Sequence, residues 1–171
     1  MTELSASPES PLTFYRDYVS QNRPVIVRGG VKHWKAFREW QSDSYFRQKC
    51  GCRSVTVTLT PDGYADAIKK GKDGDDLFVM PHEMKMTVGE LLDELQSPLT
   101  NRVAYYQMQN SNMTDDDEWS SLMDDVAEIE WAAQAFGSRP DAINFWMGDH
   151  RAVTSSKNYS MAGFGNWNVT T

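Results

Sequence analysis

Alternating apolar and polar residues along the chain predict a series of short strands. The strictest alternation covers residues 54–60, where every second side chain is apolar, and it stops at Pro61-Asp62-Gly63. Successive side chains of a strand point to opposite faces, so this pattern predicts a half-buried strand that ends in a turn. Runs of β-branched and aromatic residues predict further strands over residues 24–28, 102–109, 142–147 and 152–154.

Apolar residues at spacings of three and four predict helices between these strands. Ser10 followed by Pro11 is typical of a helix start, because serine caps the first backbone N–H groups and proline suits the first turn. Thr87 is expected to cap another helix. The predicted short helices cover residues 33–40, 44–49 and 88–95.

One longer helix is predicted from the acidic run at residues 115–118 to Phe136, with Gly137 after its end. Negative charge suits the N-terminus of a helix, and glycine is the common residue just beyond the C-terminus. Residues 69–76 are polar and rich in glycine, lysine and aspartate. They lack the ligand spacing of a calcium loop, so a solvated turn is predicted there.

Composition and charge narrow the functional class. The 171 residues are 40% hydrophobic and include six Trp, which favours one folded domain. A net charge of -7 argues against a nucleic-acid binder. The sequence contains no run of 18 apolar residues, so no membrane-spanning helix is predicted. Residues 1–11 are Ser/Pro-rich without signal-peptide features, so we expect a disordered N-terminus and a cytoplasmic, possibly nuclear, protein.

The cysteines and histidines predict no metal centre. Cys50 and Cys52 are expected to be reduced thiols, because a structural zinc site needs four ligands. His33, His82 and His150 have no carboxylate or second histidine at a ligand spacing. Phosphate-loop and nucleophile-elbow motifs are also missing from the sequence. From the residues alone, the prediction is an α+β domain of unassigned activity.

Two segments resemble the cupin-like JmjC proteins. The first is Arg23-Pro24-Val25-Ile26-Val27-Arg28-Gly29, followed by Trp34-Lys35-Ala36 and Trp40. The second is Asp141-Ala142-Ile143-Asn144-Phe145-Trp146-Met147-Gly148, followed by Ala152-Val153-Thr154-Ser155-Ser156. The resemblance covers residues 12–156. It implies an α+β, mainly β fold, in which N-terminal helices precede a double-stranded β-helix that is truncated here after its first barrel strands.

The resemblance also implies a chemistry and a set of site residues. Members of the family hold Fe(II) with two histidines and one carboxylate and use 2-oxoglutarate to hydroxylate a protein side chain. The resemblance implies a lysyl hydroxylase of Drg-type GTPases, which is also described as a histone-tail peptidase. Tyr106 and Thr154 match hydroxyl positions that bind the 2-oxoglutarate carboxylate, and Asn144 and Trp146 match wall positions near the pocket.

The sequence departs from the family where iron would bind. After Thr-Ser-x the family continues with His-x-Asp, whereas here Ser156 is followed by Lys157-Asn158-Tyr159. Residues 157–171 hold a single charged residue and no clear period, so they are predicted to be a divergent tail. We therefore expect no iron ligands, neither Fe(II) nor 2-oxoglutarate bound by this chain, and no activity by this chain alone. A catalytically dead protein-binding module, which could form a homodimer, and a non-functional fragment remain the alternatives.

Overall fold

The computed structural model describes residues 2–5, 7–96, 101–108, 111–114 and 119–153. These residues form two compact units, whereas chain length predicts one domain. The first unit contains residues 2–41 and 123–141, and the second contains residues 42–122 and 142–153. Each unit is therefore assembled from separate stretches of the chain.

The secondary-structure elements alternate between short strands and short helices. The strands are β1 (Thr2–Leu4), β2 (Val25–Val27), β3 (Ser54–Thr60), β4 (Ala67–Lys70), β5 (Asp76–Val79), β6 (His82–Thr87), β7 (Val103–Gln107) and β8 (Trp146–Gly148). The α-helices are α1 (Pro11–Phe14), α2 (Ala36–Glu39), α3 (Asp43–Cys50), α4 (Val88–Gln96) and α5 (Glu130–Phe136). Tyr15–Val19 form a π-helical turn and Ser120–Asp125 a 3-10 helix. Within the described ranges, no helix has the length and apolar character needed to cross a membrane.

An antiparallel four-stranded sheet organises the second unit. Its strand order is β6-β3-β7-β8, so β3 and β7 are the inner strands. The predicted alternation on β3 is confirmed, because Val55, Val57 and Leu59 are all buried. Strand β6 is missing from the sequence prediction. Its glutamate and lysine have little strand propensity, and pairing with β3 forms the strand.

The predicted cap of α4 is confirmed. The backbone N–H of Glu90 donates to Thr87 Oγ1 at 3.2 Å, and the backbone N–H of Thr87 donates to Glu90 Oε2 at 2.7 Å. This reciprocal pair is a capping box, which satisfies donors that the first turn leaves unpaired. The hydrogen bond from the Thr87 backbone lowers the pKa of the Glu90 carboxyl.

The polar segment 69–76 is the end of a β-hairpin. Strands β4 and β5 pair in antiparallel register, and Lys69, Lys70 and Asp76 belong to them. The turn is therefore confined to residues 71–75. It is closed by a hydrogen bond from the Gly71 N–H to the Asp75 carbonyl at 2.8 Å, and Gly74 adopts a positive φ of 87°. Glycine adopts that conformation without the strain that a side chain would cause.

In the first unit, α1 starts where the sequence predicts. The Thr13 N–H donates to Ser10 Oγ at 3.1 Å, and Pro11 occupies the first turn. Phe14 is buried and packs edge-on against Trp131 of α5, with ring centroids 4.7 Å apart. Such edge-to-face pairs stabilise a core beyond the area they bury.

The N-terminus differs from the predicted disordered segment. Strand β1 pairs in parallel with β2, and Glu3 forms an ion pair with Arg28 at 2.8 Å. Hydrogen bonding to Arg28 lowers the pKa of the Glu3 carboxyl. The Ser/Pro-rich composition indicated disorder because it carries no apolar period. The free backbone edge of β2 nevertheless accepts a strand, since such pairing needs no particular side chains.

The prediction of one long helix up to Phe136 is wrong. The 3-10 helix Ser120–Asp125 and α5 are separate, and residues 126–129 between them are not helical. Apolar residues three apart fit a 3-10 helix as well as an α-helix, so the spacing could not distinguish them. The end of α5 is confirmed at Gly137, whose φ is 69°. The acidic run 115–118 lies outside the described residues.

Asp125 links the end of the 3-10 helix to the residues that flank α2. Its carboxylate is fully buried and accepts hydrogen bonds from Lys35 Nζ at 2.9 Å and Trp40 Nε1 at 3.0 Å. A buried charge is costly unless it is paired, and two donors from the α2 region meet that requirement here.

Substitution Asp125→Ala should destabilise the protein by about 2 kcal/mol, because it leaves the lysine and the indole N–H without this acceptor. Asp124→Ala is the matched control, since the neighbouring aspartate is exposed. Urea unfolding measures both variants. Equal unfolding midpoints for the two would contradict this role of Asp125.

Candidate functional site

Tyr106 is buried at the centre of the second unit. It lies on β7 opposite Met147 of β8, and its side chain is fully inaccessible to solvent. Its ring packs edge-on against Trp119 with centroids 5.1 Å apart, and Trp119 packs against Phe145 at 4.5 Å. The sequence thus places Tyr106 on the correct strand, and the structure surrounds it with aromatic side chains.

The Trp119 indole N–H is a buried donor beside Tyr106. No hydrogen-bond partner for it exists among the described residues. An unpaired buried N–H is costly, so this position favours an acceptor such as a carboxylate oxygen. Trp34 Nε1 and Ser121 Oγ are likewise buried without a hydrogen-bond partner among the described residues.

Asn112 links the chain after β7 to the chain before β8. Its Oδ1 accepts from the Phe145 N–H at 2.8 Å, and its Nδ2 donates to the carbonyls of Phe145 at 3.2 Å and Met108 at 3.0 Å. The side chain is fully buried. These bonds use the N–H and the carbonyl of Phe145, which are then not available for strand pairing. Strand β8 accordingly starts at Trp146 and not at residue 142 as predicted.

Asn144 and Trp146 lie beside this link. Asn144 Oδ1 accepts from the Ser111 N–H at 2.9 Å, and Trp146 Nε1 donates to the Met108 carbonyl at 3.0 Å. Both side chains are half-buried. Their polar atoms bind backbone groups of the segment after β7. The two predicted pocket-wall residues, Asn144 and Trp146, therefore have a structural role. The predicted site residue Thr154 lies outside the described residues.

Gly148 allows the last strand to pair closely with β7. It lies opposite Tyr105, and a Cβ atom at this position would overlap the Tyr105 ring. A side chain does not fit there. The register that places Met147 opposite Tyr106 therefore requires glycine here.

Asp149 and Arg151 close the turn that follows β8. The Asp149 side chain is only 7% exposed and accepts from Arg151 Nη2 at 2.6 Å and Nε at 3.0 Å. This pairing lowers the pKa of the Asp149 carboxyl to about 2. His150 points to solvent with 91% of its side chain exposed. Asp149 is thus paired with Arg151, and the neighbouring His150 is exposed.

The described residues do not fit the iron site that the resemblance implies. No group of three or more His, Cys, Asp or Glu side chains in the described ranges could hold a metal ion. His33, His82 and His150 are all exposed. The sequence from Thr154 to Thr171 contains none of these four residue types. No reaction step through a metal can be assigned to these residues.

We predict that Asn112→Ala destabilises the protein by about 2–3 kcal/mol, because it removes three hydrogen bonds and leaves buried backbone groups unpaired. Asn101→Ala, at an exposed position, provides the control. Urea denaturation of both variants makes the comparison. A loss below about 0.5 kcal/mol for Asn112→Ala, the range typical of surface substitutions, would refute the structural role of this side chain.

The Asp149–Arg151 pair predicts a pH dependence. Because the folded pKa of Asp149 is about 2, below the ordinary value of 3.8, the pair stabilises the fold above pH 4. That contribution, about 1–2 kcal/mol, is lost as the pH falls from about 4 to 2. Urea unfolding at both ends of this range measures the advantage of the parent chain over Asp149→Asn. The advantage should shrink in acid, and a constant difference would contradict the prediction.

The chain matches the family described as "Cupin-like domain" over residues 11–163. It is 43% identical to the human "Bifunctional peptidase and (3S)-lysyl hydroxylase JMJD7" over 86% of the chain and 45% of that protein. It is 41% identical to "JmjC domain-containing protein E" of Dictyostelium discoideum, over 84% of the chain and 43% of that protein.

A plant relative extends the comparison. The chain is 36% identical to "Lysine-specific demethylase JMJ32" of Arabidopsis thaliana, over 87% of the chain and 43% of that protein. The chain thus spans less than half the length of the curated relatives it matches. The family match covers most of the chain and agrees with the mixed helices and antiparallel sheet. The chain therefore belongs to the cupin-like domain family that includes the JmjC proteins, and its structure is a partial cupin fold.

Proposed function

We propose that this chain forms the N-terminal part of an Fe(II)- and 2-oxoglutarate-dependent protein hydroxylase fold and carries no iron ligands of its own. The observation that carries the proposal is the combination of a family match over residues 11–163 with the lack of a ligand cluster in the described residues. In the complete fold, bound iron would supply the redox chemistry by which dioxygen oxidises 2-oxoglutarate to succinate and CO2 and hydroxylates the substrate C–H bond. Such sites use two histidines and one carboxylate.

Within that fold, Tyr106 and Thr154 are proposed to hydrogen-bond the 2-oxoglutarate carboxylate. Tyr106 is buried, and its ring packs against that of Trp119, whose N–H has no hydrogen-bond partner among the described residues. Hydrogen bonds to an ionised carboxylate are stronger than those between neutral groups. The role of these residues is therefore to bind and orient the acid, with the chemistry supplied from elsewhere.

The substrate class is proposed from the relatives. Two of them are named for activity on lysine, as a lysyl hydroxylase and as a lysine-specific demethylase. We propose a protein lysine as the substrate of the complete enzyme, with a Drg-type GTPase as the substrate protein, in the cytoplasm and possibly the nucleus. Peptidase activity is not proposed for this chain, because no described group of side chains offers a hydrolytic metal site.

Alone, the chain is proposed to be a catalytically silent protein-binding module. Its second unit has a buried core, and the buried Asn112 side chain forms specific hydrogen bonds to the distant Phe145 backbone. These are features of a cooperative fold. A non-functional fragment would instead unfold without a cooperative transition.

We expect the purified chain, supplied with Fe(II), ascorbate and 2-oxoglutarate, to form succinate at no more than the rate of the protein-free mixture. The human relative, assayed in parallel, is the positive control for the reagents. A cooperative thermal melt of the same sample verifies that the chain is folded. Succinate formation above background that scales with the concentration of the chain would overturn the proposal.

A further inference from the structure

Sulfur and nitrogen donors occupy every second position where the chain enters β6. The sequence there reads Met80-Pro81-His82-Glu83-Met84. Met80 follows β5, whereas His82 and Met84 belong to β6. Side chains two residues apart on a strand share a face, and those one apart do not. We call the two thioethers and the imidazole, from Met80, Met84 and His82, the methionine–histidine cluster.

The strand register places His82 and Met84 on the core face of the four-stranded sheet. Met84 is paired with Val57 of β3 and His82 with Leu59, and both partners are buried. Residues directly opposite each other in an antiparallel pair lie on the same face of the sheet. Glu83 lies on the opposite face. The cluster therefore has apolar neighbours across the strands and no carboxylate from β6 on its own side.

The methionine–histidine cluster lies at the accessible end of this face. Met84 is half-buried, His82 is exposed, and Met80 is 74% exposed. The next methionine on the same face, Met86, is buried and belongs to the core. Within the part of the chain that the structure describes, the His82 ring has no hydrogen bond or ion pair. Core packing, the common role of methionine, thus explains Met86 but not Met80.

The spacing allows all three donors to reach one ion. Cα atoms two residues apart on a strand are separated by about 6.6 Å, and the three rotatable bonds of a methionine side chain can bring its sulfur toward the neighbouring imidazole. The residue before a proline is restricted to extended conformations, so Met80 continues the direction of β6. Binding needs no change in the pairing of β6 with β3.

The donor set determines which metal would bind. Thioethers are soft, uncharged ligands that select Cu(I), and imidazole also suits copper. Mn(II), by contrast, prefers carboxylate, carbonyl and water oxygens. We propose that the methionine–histidine cluster is a Cu(I) site, with the sulfur atoms of Met80 and Met84 and one ring nitrogen of His82 as its three ligands. Its donors differ from those of an iron site with two histidines and a carboxylate, so it is independent of the 2-oxoglutarate chemistry.

Competition with the coloured Cu(I)–ferrozine complex, without oxygen and with ascorbate, measures the affinity. The exposed Cys52 thiol would also bind Cu(I), so the experiment uses the Cys52→Ser chain. We expect one equivalent of Cu(I) per chain, with a Kd of about 0.1 μM or below. Excess Zn(II) or Mn(II) should not displace it, because thioethers are poor ligands for both.

Single substitutions identify the ligands. His82→Gln, Met80→Leu and Met84→Leu should each weaken Cu(I) binding at least about tenfold, because each removes one of three ligands. Leucine nearly conserves the volume of methionine, so the fold should be retained. His150→Gln and Met123→Leu are the matched controls and should bind as the Cys52→Ser chain does. Far-UV circular dichroism and the thermal melt verify the folding of every variant.

Nuclear magnetic resonance of the methionine methyl groups, labelled with carbon-13, locates the bound ion. The methyl signals of Met80 and Met84 should shift and saturate at one equivalent of Cu(I), while that of Met123 stays in place. Failure to bind Cu(I), unshifted signals of Met80 and Met84, or an affinity unaffected by His82→Gln would each overturn the proposal. Displacement of Cu(I) by excess Zn(II) would overturn the assignment of thioether ligands.

Discussion

The hydrogen bonds of Asn112 are the constraint on which the end of the second unit depends. The side chain binds the backbone of Phe145, 33 residues away, and also the Met108 carbonyl. The chain leaving β7 is thereby fixed to the chain entering β8. The strand register that follows places Met147 opposite Tyr106 and Gly148 opposite Tyr105. Buried amide networks of this kind specify one arrangement because an unpaired alternative is costly.

Local chemistry made much of the fold predictable. The alternation on β3 and the capping box at Thr87 act over a few residues, and the structure has both. Errors arise where the outcome depends on distant partners. Apolar residues three apart could not separate a 3-10 helix from an α-helix, and the pairing that forms β6 comes from β3. Local propensity is weaker than such tertiary contacts.

The candidate site was only partly predictable, because several of its contacts join residues that are distant in the sequence. The resemblance placed Tyr106 on a barrel strand, and the structure buries it there beside Trp119. No sequence pattern indicates the hydrogen bonds of Asn112, because its bonding partner Phe145 lies 33 residues away. The polar atoms of Asn144 and Trp146 bind backbone groups of the loop, a role that no sequence pattern indicated.

The family fold is shown for this chain, whereas its lack of iron ligands is a proposal. The cupin-like match covers residues 11–163, while the described residues contain no three-ligand cluster. The most direct test is a titration of the chain with Mn(II), as a stand-in for Fe(II), with saturating 2-oxoglutarate, followed by the electron paramagnetic resonance signal of free Mn(II). We predict the same signal with the chain as without it. Loss of one equivalent of free Mn(II) per chain would contradict this prediction.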